Sequence, residues 1–94
     1  MNIEIIKKNL LERGYNQHET EILSEDLVSV HKDLLSCLET WIYSGKECDY
    51  TAHGISVKSL MEKYNLKYPA ALLSIDWVIK EPNIAISAIE KGIR

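Results

Sequence analysis

Three histidines, two cysteines and one carboxylate set in an apolar run are the side chains here whose chemistry could serve a reaction or a metal. Metal ligation needs donors that converge, which in sequence means paired histidines one turn apart or a Cys-x-x-Cys. His18, His31, His53, Cys37 and Cys48 show no such spacing. His31 and Cys37 are six residues apart, on different faces of one helix. Cys48 and His53 share a loop, but two ligands do not make a site. They are also the one Cys/His pair close in sequence, and proximity alone does not make a thiolate nucleophile. There is no Gly-x-Ser-x-Gly elbow and no glycine-rich phosphate loop; the four glycines fall at helix ends or in loops. Neither a metal, nor another cofactor, nor catalysis is expected.

Asp76 stands between Ile75 and Trp77 in the most apolar stretch of the chain. It is expected to lie on a narrow exposed stripe with Pro69 and Lys80 and to pair with Lys80 at i,i+4. Accepting a hydrogen bond from a tyrosine hydroxyl or a backbone donor is a second structural role open to it.

What is left is recognition. Tyr43, Tyr50 and Tyr68 fall in or beside connections, and tyrosine is a residue that protein-binding surfaces enrich. With His53 they make the expected protein-binding surface around the 43–53 loop, whereas Trp41 and Trp77 are expected in the core. Glu19, Glu21, Glu25 and Asp26 crowd one short segment, either as a solvated helix face or as an acidic docking patch. The alternative class is DNA binding through a helix-turn-helix at residues 57–80. The lengths suit that motif, and Lys58, Lys63 and Lys67 are near. Its second helix, PAALLSIDWVIK, nevertheless has no basic residue before Lys80 to read bases or phosphates.

The elements that must position these residues are all helical. Asn2 can cap a helix over 3–13, with Ile3, Ile6, Leu10 and Leu11 inward and Gly14 as its left-handed exit. Asn16 with Glu19 forms a variant capping box for a helix over 17–24 that buries Ile22 and Leu23. Ser24 or Asp26 restarts the chain into a helix over 26–44 with a seam of Leu27, Val30, His31, Leu34, Leu35, Leu38, Trp41 and Ile42, whether or not that helix is continuous with the one before. Gly45 ends it. Residues 46–55 form the one long connection, and a strand there has no evident partner, so no sheet is expected. Ser56 caps a helix over 57–64, Asn65 ends it, and Pro69 and Pro82 open helices over 69–80 and 82–91. Gly92 closes the last, with Ile93 as the apolar residue that a Schellman turn favours.

With 94 residues, the expectation is a single all-α domain, a compact bundle of five to six short helices. The net charge of −3 argues against a general affinity for phosphate backbones. It is uneven: residues 1–47 hold five basic and nine acidic side chains, residues 48–94 six and five. No apolar run reaches the length of a membrane span, and no secretory pattern opens the chain. A cytoplasmic location follows as an expectation, with Cys37 and Cys48 unpaired. Nine lysines against two arginines point to an AT-rich bacterial or phage genome.

The first thirty residues, two short helices joined by Gly14-Tyr15, resemble ubiquitin-associated three-helix domains. The resemblance covers a third of the chain and assigns no residue a role. The reading as a whole is a small interaction protein of regulatory, adaptor, antitoxin-like or immunity-like kind. Self-association would fit the need of the 70–80 helix for cover on most sides.

Overall fold

A computed structural model describes residues 2–92. The protein is all-α, with six helices and one very short hairpin, in two compact units, Met1–Glu47 and Cys48–Arg94.

The first unit holds α1 (Ile3–Glu12), α2 (Gln17–Leu27) and α3 (Lys32–Ser44). Asn2 caps α1 by accepting from the Glu4 amide at 2.7 Å. A complete capping box opens α2: the Asn16 side chain accepts from the Glu19 amide at 2.8 Å, and the Glu19 carboxylate accepts from the Asn16 amide at 3.2 Å. The buried face of α2 is not the one expected. Thr20, Ser24 and Leu27 are buried at i, i+4, i+7, and Ile22 points outward at 50% exposure. Leu11 on α1 is likewise exposed rather than inward.

The boundary between α2 and α3 also differs from the expected 17–24 and 26–44. Neither Ser24 nor Asp26 starts a helix; α2 runs through both, and the chain breaks at residues 28–31. The Ser29 hydroxyl donates to the Asp26 carbonyl as the chain leaves α2. His31, expected on the inner seam, is instead the N-cap of α3, its Nδ1 accepting from the Asp33 amide at 3.2 Å. Gly45 ends α3 at φ 75°, where a side chain would be strained.

The second unit begins with a correction. Thr51–Ala52 (β1) and Ile55–Ser56 (β2) pair antiparallel, with Thr51 opposite Ser56 and Ala52 opposite Ile55. The partner strand lies immediately downstream. His53 and Gly54, at φ 50° and 79°, supply the two left-handed residues that a tight two-residue hairpin requires. Then come α4 (Val57–Tyr64), α5 (Tyr68–Lys80) and α6 (Pro82–Glu90). Within this unit α5 packs on α4, on α6 and on β1. None of residues 68–79 is exposed, although Ala70, Leu73, Ser74, Trp77 and Ile79 are only half-buried. Ile93, expected to complete a Schellman turn, lies outside the described residues.

Candidate functional site

Local hydrogen bonds fix the hairpin and α4 as a frame. The first three amides of α4 each find an acceptor. Val57 donates to the Tyr50 carbonyl at 2.9 Å, Lys58 to Asp49 Oδ1 at 3.0 Å, and Ser59 to Ser56 Oγ at 3.0 Å. Asp49 also brings negative charge to the positive end of the helix dipole. Sequence reading missed it because its partner amide lies nine residues away. At the other end, Asn65 takes the left-handed conformation at φ 55°. The Tyr64 hydroxyl then donates to the Ile89 carbonyl at 2.8 Å, tying α4 to the last turn of α6.

That tie stands beside a groove of about 800 Å³ bounded by the hairpin turn, α4 and the end of α6. His53, Gly54 and Ile55 form one wall; Ser59, Leu60, Lys63 and Tyr64 line the α4 side; Ile86, Ile89, Glu90, Lys91 and Gly92 close the other. Leu60 and Ile89 are buried and the flanking Ser59, Lys63, Glu90 and Lys91 are exposed, giving an apolar bottom under a mixed rim of two lysines and one glutamate. Of the residues expected to bind protein, only His53 lines this groove. Tyr50 is half-buried and serves α4 through its carbonyl.

Tyr68 is corrected outright. It is 2% exposed, and its hydroxyl oxygen accepts from the Cys48 amide at 3.1 Å, so it holds the start of the connection rather than a partner. Asp76 pairs with Lys80 at 2.8 Å, yet it and Pro69 are buried, not on an exposed stripe. Trp77, expected in the core, is partly exposed, whereas Trp41 is buried.

In the first unit, Tyr43 projects from α3 at 69% exposure. Glu19, Glu21, Glu25 and Asp26 are all exposed on α2, on either side of the outward Ile22. Glu19 closes the capping box and Glu21 accepts from Gln17, so half of the acidic group has structural work. Arg13 donates to the Trp41 carbonyl at 2.8 Å while its guanidinium lies 3.9 Å over the Trp41 ring, at the carbonyl end of α3 where a cation is favoured. The Tyr15 phenol is pushed above its ordinary pKa by burial and then by the Glu19 carboxylate, with Arg13 opposing.

For chemistry the arrangement offers little. Among the described residues no three of His, Cys, Asp or Glu converge on a point where an ion could sit. Cys37 is buried and Cys48 is half-buried. Among the described residues no helix is long and apolar enough to cross a membrane. A recognition helix must offer side chains to a DNA groove, and α5 has no exposed residue until Lys80.

No family model, curated protein or solved structure matches this chain. The resemblance of the first thirty residues to ubiquitin-associated domains has no support from these comparisons.

Proposed function

We propose that this chain is a protein–protein interaction module whose second unit receives an extended segment of its partner in the groove between the hairpin turn and α6. The observation that carries the reading is the groove itself, about 800 Å³ with Leu60 and Ile89 beneath and Lys63, Lys91 and His53 around them. Apolar contact area mixed with hydrogen-bonding rim groups is what non-obligate interfaces offer. Lys63 and Lys91 suit a segment carrying carboxylates, and Glu90 beside them suits one that also carries a cation. Tyr43 is an aromatic anchor of the type interfaces enrich, on the first unit. The role is non-catalytic, of regulatory, adaptor, antitoxin-like or immunity-like kind. A bacterial or phage origin and a cytoplasmic location are supported by composition alone.

The test begins with a partner identified from host lysate and purified, then titrated against variants. Ser59 is exposed within the groove, so Ser59→Arg fills it while leaving the capping amide in place. Binding is expected to weaken by about tenfold or more, with the circular dichroism spectrum unchanged. Wild-type affinity in Ser59→Arg would remove the groove from the interface. Tyr43→Ala, read in the same titration, decides whether the first unit contributes. The DNA alternative has helices of suitable length and the exposed Lys58, Lys63 and Lys67, but its second helix, α5, offers no exposed residue before Lys80. A gel shift at low salt that weakens in Lys58→Ala and Lys67→Ala would bring it back.

A further inference from the structure

A second face of α6 carries an exposed apolar side chain and shares Lys91 with the groove. Ile84 stands at 58% exposure, and beside it lies a hollow of about 510 Å³ lined by Asn83, Ile84, Ser87, Ala88 and Lys91. At 100° per residue Ile84 and Ala88 fall on one stripe of α6, and its N-cap Glu81 and C-cap Lys91 stand at the two ends. The spacing 81, 84, 88, 91 is that of a helix-pairing seam with a charge of opposite sign at each end. Glu81 and Lys91 are both exposed, and neither forms an ion pair with a described side chain.

We infer that this face docks a second copy of the chain, α6 against α6, antiparallel about a twofold axis level with Ile86. In that register each residue faces the one equally far on the other side of Ile86. Ile84 meets Ala88 of the second copy, a large side chain against a small one, so its branched end enters the hollow. Glu81 meets Lys91 of the second copy, and symmetry repeats both contacts. The parallel arrangement fails on charge, since it sets Glu81 against Glu81 and Lys91 against Lys91. Self-complementarity of this kind is what singles out a second copy as the occupant, because an unrelated partner gains nothing from it. A nine-residue helix contributes only part of the roughly 1,200–2,000 Å² that stable interfaces bury, so the dimer is weak and depends on concentration. This face shares Lys91 with the groove, whereas Glu81 and Ile84 do not line it, so Ile84→Lys tests the inference without touching the groove.

Sedimentation equilibrium of the full chain from about 10 μM to about 1 mM, a range matched to weak association, tests it. At low salt the apparent mass of the wild type is expected to rise from 10.8 kDa towards twice that value. Ile84→Lys, at an exposed position that leaves the fold intact by circular dichroism, is expected to stay monomeric. Glu81→Lys places like charges at both ends and is expected to weaken association about tenfold or more. Glu81→Lys combined with Lys91→Glu restores the pairs and is expected to recover it. A wild type monomeric throughout overturns the inference, as does association indifferent to Ile84→Lys. A double variant no stronger than Glu81→Lys overturns the register.

Discussion

At the scale of single residues, Thr20 is the exception to a well-satisfied interior. Its hydroxyl is buried and has no hydrogen-bond partner, while Ser24, one turn on and equally buried, donates to the Glu21 carbonyl. A buried hydroxyl left unpaired costs free energy that a methyl of the same shape does not. Thr20→Val is therefore expected to stabilise the protein, by about 1 kcal/mol, as a higher urea midpoint with unchanged slope. Tyr15 makes a second expectation at this scale. Its pKa is raised in the fold, first by burial and then by Glu19, so the fold favours the protonated phenol. That contribution is complete below the unfolded value near 10 and is lost as pH rises through the raised folded value. Alkaline melts should show the wild type losing stability faster above that pH than Tyr15→Phe, the difference vanishing near neutrality.

At the scale of elements, what sequence could say depended on how local each signal was. Asn2, the Asn16–Glu19 box, Ser56 and Asn65 act within three residues of themselves, and the structure has them where the spacing placed them. The hairpin was missed because two residues per strand leave no alternation to detect, although His53-Gly54 is a legible turn pair. His31 was missed because histidine is not among the preferred caps, and Ile22 because Thr20 and Ser24, small and polar, fill the buried face of α2 instead. The groove is hardly legible in the sequence: its walls come from residues 53–55, 59–64 and 86–92, brought together by α5 packing against both helices, and of the residues expected to bind protein only His53 lies among them. Asp49 shows the same dependence on the fold. Asp49→Ala removes the acceptor of the Lys58 amide and a charge at the α4 N-terminus. It is expected to cost about 1 kcal/mol, read as a lower thermal midpoint, whereas Asp49→Asn should keep most of the stability.

At the scale of the whole molecule, the charge imbalance read along the chain coincides with its architecture. The division at residue 47 that separates an acidic half from a slightly basic one is also where the first compact unit ends. The acidic excess belongs to the unit of α1 to α3, while the unit of α4 to α6 exposes Asp49, Glu62, Glu81 and Glu90 among a nearly equal number of lysines. The same division has sorted the tryptophans, Trp41 to the first unit and Trp77 to the second. Each half thus carries one built-in fluorophore. Trp77→Phe leaves an emission signal that reports only the first half, and Trp41→Phe one that reports only the second. Two denaturation curves from two conservative variants would then count the cooperative transitions: coincident midpoints mean one, separated midpoints two.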